Sequence, residues 1–539
     1  MESISQLERD ASSALAAIRE WKNSFALINR IPTDILSLIP THLASQKDRF
    51  HAASVCRHWR GVLLRNSTLW SQLFPIKGEE YVSTLLERAK GSALDIVTGY
   101  GSPASAIALI SSRPQQIRSL ESAGNYWNDI IRFSESILPL LRVLKIRDPY
   151  TPLLQPNVVT PPSLPLFRGS INLEQFVFHS GMLSLLSHFA FPNLVTFELL
   201  LYQAEECSVL HLLDFLKASP TLQTVEVKIL SRVVLRGIPQ EMVVVLPNVN
   251  SFSLHITHGY TTHVYDVSAH ISCPRARNIS LAHGVDDVNM DAQIEIFPTP
   301  DSWNTIIVHR YTASPIEEVT LELEYSGKIE CFLTFRSPGT TNLRLGFEVT
   351  DTEVSESVLD ITHAEICGEI FYQALTTIQD CPLLSYVKRL RIEHQVAMPG
   401  IYTERALNIG RRVRELFSSL GPLDELTIRG CDPHMFLAKF VDGLGCYTWE
   451  QPIALPRIKE LAILHPVLED DPRESADAIV ELAKSQHARG IPFERLTIHM
   501  RYIPEQTVEE ELMRWVDAVD WEESGECSCW SSQYVVNVK

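Results

Sequence analysis

The sequence predicts an α/β chain in which a small cluster of short helices precedes a long, irregular solenoid of parallel strands. Three observations carry this expectation. Residues 29–70 hold three helical signals and more large apolar side chains than so small a unit buries by itself. An apolar-x-x-apolar-x-apolar core recurs along most of the remaining chain, as it does where stacked supersecondary units share one interior. Between the copies lie segments with apolar residues at helical spacing. At 539 residues with 45% apolar content, the chain has material for several domains or one long array.

From the N-terminus, Ile4, Leu7, Ala11, Ala14, Ile18, Trp21, Phe25 and Ile28 alternate spacings of three and four, the a/d seam of a heptad helix. Such a seam either pairs two chains or packs back on the helices that follow. The run spans residues 1–28, carries small alanines in mid-seam and has serines outside it. Packing back is therefore the expectation, and a homodimer is the less favoured alternative.

In residues 29–75, Ile31-Pro32-Thr33-Asp34 is a helix start: proline suits the first turn, and an acid there meets the positive end of the helix dipole. Ile35, Leu36, Ile39 and Leu43 follow on one face. A second helix is expected over 48–60, with Ala52, Val55, Cys56 and Trp59 on its apolar stripe, and a short third element ends in Leu69-Trp70. The full string, Pro32-x-Asp34-Ile35-Leu36, Leu43, Asp48, Val55-Cys56-Arg57-x-Trp59-Arg60 and Leu69-Trp70, resembles the F-box in order and spacing. The resemblance implies that Pro32, Ile35, Leu36, Ile39, Leu43, Val55, Cys56, Trp59 and Trp70 include the face that binds the Skp-type adaptor of a cullin-RING ubiquitin ligase. Two positions depart from the family pattern. Pro40 replaces a large apolar residue and should end or kink the first helix early. Arg49 replaces the leucine that commonly follows Asp48, leaving Phe50 to fill that space.

A linker helix is expected in 76–90, and the repeats in 91–502. Clear copies of the strand core begin at Leu141, Leu173, Leu194, Leu222, Val249, Ala276, Ile316, Val387, Leu423, Ile458 and Phe493, with weaker ones at 94–96, 117–120 and 343–345. Helical returns are expected at 211–218, 374–379, 405–418 and 476–488. The pattern resembles a leucine-rich-repeat solenoid in degenerate form. Its spacing runs from about 21 to over 40 residues, against roughly 20–29 in regular arrays, and the usual asparagine or cysteine after the strand is clear only at Cys431. A mixed α/β domain with fewer stacked strands is the alternative. Prolines crowd 149–168, and 349–358 is acidic and poor in large apolar residues, so both are expected as exposed insertions. In 503–539, Thr507-x-x-Glu510 reads as a capping box before Val508, Leu512, Trp515, Val516 and Val519, an amphipathic helix able to cap the last repeat.

Several function classes are disfavoured. With 47 Lys and Arg against 65 Asp and Glu, the net charge of -18 lacks the basic footprint of a general nucleic-acid binder. No apolar run reaches the roughly 18 residues of a membrane span. Ten scattered cysteines and the lack of a basic-plus-apolar leader point to a reducing compartment, cytoplasmic or nuclear. No metal cluster, nucleophile elbow or paired catalytic carboxylates stand out. Gly99-x-Gly101-x-x-Ala104 with Glu121 downstream has the outline of a dinucleotide turn, but a plain turn and helix start explain it as well. Cys527-x-Cys529 lacks a second ligand pair.

The expectation is a non-catalytic, cofactor-free receptor subunit: by the resemblance, its F-box would clip to the adaptor, and through it to cullin, while the repeats hold an unidentified target protein. Strand residues pointing away from the core, Lys145, Arg147, Glu226, Lys228, Arg391, Glu393 and Arg429, are the candidate target contacts. The alternatives are a repeat scaffold not engaged with a ligase and a dinucleotide-dependent enzyme.

Overall fold

The computed structural model describes residues 2–147 save 44, 100, 124–126 and 135; 166–257 save 168–169, 182, 203–206, 231–232, 235–238 and 240; and 262–285. Beyond these it describes 316–325, 329–337, 342–349, 370, 373–379, 386–395, 415–430 save 418, 457–464, 472–500 and 506–523. The chain divides into two compact units, one of residues 1–181 with 185–197 and the other of 182–184 with 198–539.

The first unit begins with helix α1 (Glu2–Ser24), followed by α2 (Thr33–Leu38), α3 (Gln46–Ser54) and α4 (Arg57–Arg65). Helix α5 (Glu79–Ala89) is the expected linker helix; Val82, Leu85, Leu86 and Ala89 form its buried stripe. It stops where Lys90 and Gly91 both take positive φ, a left-handed exit that ends a helix.

A parallel stack follows: β1 (Gln72–Leu73), β2 (Leu94–Thr98), β3 (Ile117–Ala123), β4 (Val143–Arg147) and β5 (Gln175–Ser180), each paired with the next. The register sets Ile96 beside Leu120, Leu120 beside Leu144, Leu144 beside Phe176 and Ile146 beside Phe178. Period-two alternation thus sends one apolar ladder inward along the stack, and every one of these side chains is buried. Helix α6 (Ala104–Ser111) is the return between β2 and β3, with Ala106, Ile107 and Ile110 buried. The expected insertion 149–168 lies mostly outside the described residues, but its end is not exposed. Leu166 bridges Phe189, and both Leu166 and Phe167 are buried, because they help close a core already rich in phenylalanine around Phe176.

Strand β6 (Thr196–Leu201) spans the division between the units. The second unit contains β7 (Thr224–Leu230), β8 (Ser251–Thr257) and β9 (Asn278–Val285), again parallel and in register through Val225, Phe252 and Ile279. Helix α8 lies at the expected return 211–218 (Leu210–Lys217, taking α7 as Trp127–Ser134), and α9 is Thr262–Ala269.

Here the structure departs from a simple succession of parallel repeats. The next strands are β10 (Glu318–Tyr325), β11 (Ile329–Arg336) and β12 (Asn342–Val349), and they form an antiparallel meander. The neighbour of β9 is β12, not β10, while β10 pairs with the strand after the meander, β13 (Arg389–Gln395). The spatial order is therefore β9-β12-β11-β10-β13. Because β11 alone runs backwards, β10 and β12 keep the direction of their outer neighbours, and both apolar ladders continue without a break. In the sequence the Ile316 copy follows the Ala276 copy as its expected neighbour, and no copy marks β11. The reason is local: Cys331, Leu333 and Phe335 alternate inward in plain period two, and that pattern carries no direction.

One glycine makes the meander close-packed. A Cβ on Gly346 would lie 2.7 Å from Phe332 Cε1 and 3.1 Å from Ala282 Cβ. The Phe332 ring covers the space instead, with the Arg344 guanidinium 3.6 Å from its centroid, which combines cross-strand packing with a cation–π contact.

Strands β14 (Leu423–Gly430), β15 (Ile458–Leu464), β16 (Arg495–Met500) and β17 (Val519–Glu523) extend β13 in parallel. Helix α10 (Pro472–Ala488) is the long return before β16, in place of the expected 476–488. The expected C-terminal amphipathic helix is shorter than its apolar spacing suggests: α11 is Gln506–Leu512, and Val519 opens β17, paired with Leu496. Backbone hydrogen bonding to β16 outcompetes helix extension there. The expected helix 405–418 and the insertion 349–358 fall almost wholly outside the described residues.

Candidate functional site

The segment 28–75 is built from short, individually capped helices. Pro32 caps α2, accepting from the Leu36 N–H at 2.9 Å, with Asp34 in the first turn. The helix stops at Leu38, and a 3₁₀ turn from Ile39 to His42 carries the buried Pro40. Pro40 thus shortens the helix as its missing donor requires. Ser45 caps α3: its Oγ accepts from the Asp48 N–H at 3.1 Å and donates to the Asp48 carboxylate at 2.7 Å.

The single helix expected over 48–60 is two. Cys56 is fully extended at φ -157°, ψ 173°, and its carbonyl accepts from the Arg60 N–H, so it ends one helix and caps the next. The break turns the chain so that Trp59, Val62 and Leu63 of α4 are buried. Asn66 then ties the unit together: its Oδ1 accepts from the Thr68 N–H, and its Nδ2 donates to the Ser37 carbonyl at 3.2 Å.

The residues assigned to docking by resemblance fall into two sets. Leu36, Trp59 and Trp70 are core, not surface. Trp59 Nε1 donates to Asn29 Oδ1 at 2.9 Å, and Trp70 Nε1 donates to the Leu63 carbonyl at 3.0 Å. Phe50 packs on Trp70 at 5.3 Å between ring centroids, and the Arg88 guanidinium lies 5.0 Å from the Trp70 ring. Phe50 thus turns inward beside Arg49, whose guanidinium donates to the Leu43 carbonyl at 3.4 Å and to Gln72 at 3.5 Å. These satisfied indole N–H groups and buried rings leave no reason for the core set to meet a partner directly.

The second set is presented to solvent. Ile35 is 48% exposed and Val55 62%, Pro32 is exposed, and Ile39, Leu43 and Cys56 are half-buried. Leu38, 52% exposed, joins them. Leu38 is not among the residues the resemblance implies, although its i+3 spacing from Ile35 places both on one helix face. Isolated exposed apolar residues are ordinary; several on consecutive short helices of one small unit are not.

Helix α1 is not packed back on these helices. Ile4, Leu7, Leu15, Ile18, Trp21 and Phe25 are all exposed, and a salt bridge of 3.5 Å joins Glu20 to Arg57 between two well-exposed side chains. Pairs of that kind hold little. The expected packing of the seam on α2 to α4 does not form.

Five of the seven candidate target contacts are engaged in ion pairs within the sheets. In the first unit Lys145 and Arg147 both reach Glu121, at 4.0 and 3.3 Å. The carboxylate in the outlined dinucleotide motif is thus occupied by two cations of the next strand, and Ser102 Oγ closes the Gly99 turn by donating to the Gly99 carbonyl at 2.9 Å. In the second unit Arg429 pairs with Glu393 at 3.6 Å, and Arg391 lies between Glu318 at 3.8 Å and Glu425 at 3.5 Å. Glu318 also receives Arg336 at 3.0 Å and Arg389 at 3.6 Å, and its side chain is only 7% exposed. Glu226 is exposed and Lys228 half-buried on β7. Among the described residues no group of acidic, histidine or cysteine side chains is arranged to hold a metal, and no helix is long and apolar enough to cross a membrane. Cys527 and Cys529 lie outside them.

Compared with known families, residues 28–75 match the model of the F-box-like domain. No curated protein matches the chain.

Proposed function

We propose, on the premise that the chain is an F-box protein through residues 28–75, that it is the substrate-recognition subunit of a Skp-cullin-F-box ubiquitin ligase. F-box domains generally bind Skp-type adaptors, and proteins that carry them are typically non-catalytic. The observation that carries the reading is a coincidence of place: the matched segment is the one that leaves Ile35, Leu38 and Val55 in water. Covering such side chains contributes roughly 1.5–3 kcal/mol each when burial is complete, offset by the cost of association. Pro32 and the half-buried Ile39, Leu43 and Cys56 complete the adaptor face, while Leu36, Trp59 and Trp70 hold it in shape from beneath.

The mostly parallel strands of the remaining chain, a degenerate leucine-rich-repeat-like array interrupted by a meander, hold the target protein. Their part in ubiquitin transfer is proximity: a held target presents its lysines at high effective concentration to the charged enzyme that cullin carries. Lys145, Arg147, Glu226, Lys228, Arg391, Glu393 and Arg429 remain the candidate contacts, with exposed Glu226 the least encumbered. A cytoplasmic or nuclear location suits such a subunit.

Co-expression with a Skp-type adaptor tests the reading. The intact chain should elute with the adaptor as a stoichiometric complex. Ile35→Asp/Val55→Asp should lose the complex, at least tenfold in affinity for about 1.4 kcal/mol, with an unchanged melting temperature. A monodisperse intact chain that ignores the adaptor removes the ligase role and leaves a repeat scaffold.

A further inference from the structure

Helix α1 is 23 residues long, about 34 Å at 1.5 Å per residue, and its heptad seam faces water. A lone amphipathic helix gains no stability from its apolar stripe until something covers that stripe. The side chains around the seam specify what fits. With Ile4 at a and Leu7 at d, the flanking e positions are Glu8, Leu15 and Lys22. These three are symmetric about Leu15: an acid seven residues before it and a base seven after.

We infer that α1 is a self-association element, pairing antiparallel with α1 of a second copy about a two-fold axis at the level of Ala16, beside Leu15. In an antiparallel pair a positions meet d positions and e positions meet e positions. The register that sets Leu15 against Leu15 of the second copy sets Glu8 against Lys22 of the second copy, twice by symmetry. It also places Ala14 against Ile18 and Ala11 against Trp21. Each small residue of the mid-seam then receives a large one, as interdigitating layers require. A parallel pair does the reverse: it stacks alanine on alanine, leaving a gap, and sets Trp21 on Trp21. It also places Glu8 opposite Ser3 and Lys22 opposite Ala17, where no charge pair forms. Both the sizes and the charges select the antiparallel arrangement, in the self-complementary form of a C₂ interface.

The test is sedimentation velocity of the full chain over a dilution series. The wild type should dissociate from dimer to monomer on dilution. Glu8→Lys and Lys22→Glu, each of which places like charges opposite one another, should weaken the dimer about tenfold. The two variants mixed in equal amounts should re-form it, since every opposed pair is then attractive, and Glu8→Lys/Lys22→Glu in one chain should match the wild type. Leu15→Glu should give a monomer throughout. All these positions are on an exposed helix, and an unchanged melting temperature verifies the fold. A wild type that stays monomeric at every concentration overturns the inference, as does a dimer indifferent to the charge exchange.

Discussion

The helices of residues 28–75 and the strands β10 to β14 present opposite kinds of surface. On the strands, charge is answered within the sheet: Glu318 gathers Arg336, Arg389 and Arg391, Arg391 turns also to Glu425, and Glu393 holds Arg429. On the helices, Ile35, Leu38 and Val55 have no such answer. A row of charges alternating between neighbouring strands is already neutralised and makes a poor attractor, whereas exposed apolar side chains on a rigid unit gain from any surface that fits. The lesson is that charge on a strand face is weak evidence of a binding surface until its partners are known.

Substitutions sharpen the contrast. The largest effect is expected where the helical unit hides its apolar mass: Trp70→Ala should cost about 3–5 kcal/mol, read as a fall in the denaturation midpoint of the chain. If the loss is below that of an exposed position, Trp70 is not the core of the unit. On the strands, Glu318→Ala leaves three guanidinium groups facing one another around a vacated site. Its partners remain part-exposed, so the cost should be about 1–3 kcal/mol, and added salt should shrink it. A salt-independent loss would mean that Glu318 acts through packing. Tyr265 should give the smallest effect. Its ring is buried, its hydroxyl finds no partner among the described residues, and burial pushes its ionisation well above the ordinary phenol range. Tyr265→Phe removes an unsatisfied group and should be neutral or stabilising by up to about 1 kcal/mol; a clear loss would reveal a partner for the hydroxyl.

Much of this was legible in the sequence because it is local. The helix start at Pro32, the early stop before Pro40, the inward ladders of the parallel strands and the return helices at Leu210–Lys217 and Pro472–Ala488 follow from residues a few positions apart. What escaped was decided at a distance. Leu36, Trp59 and Trp70 share a motif with Ile35 and Val55, yet which of them face inward depends on the break at Cys56 and on how α4 then lies. The order β9-β12-β11-β10-β13 depends on a choice of neighbours that period-two alternation leaves open. The gathering of arginines on Glu318 followed from that choice, since Arg336 and Arg389 come from different flanking strands.

The reversed meander also governs when the sheet can be completed. In the first unit each strand leaving the ribosome finds its neighbour already waiting. Strand β9 also docks on a waiting β8, but the partner for its other edge begins 64 residues later, Asn278 meeting Asn342. Until β12 arrives, the open rim of β9 offers unpaired backbone donors and acceptors to any passing strand. The hairpins of β10 to β12 can close early by local contact, but they must then dock as a block, β12 on β9, before the two stretches of parallel strands become one sheet. Synthesis therefore passes through a stage at which the half-made sheet is most open to mispairing, and relief comes only when the meander seats.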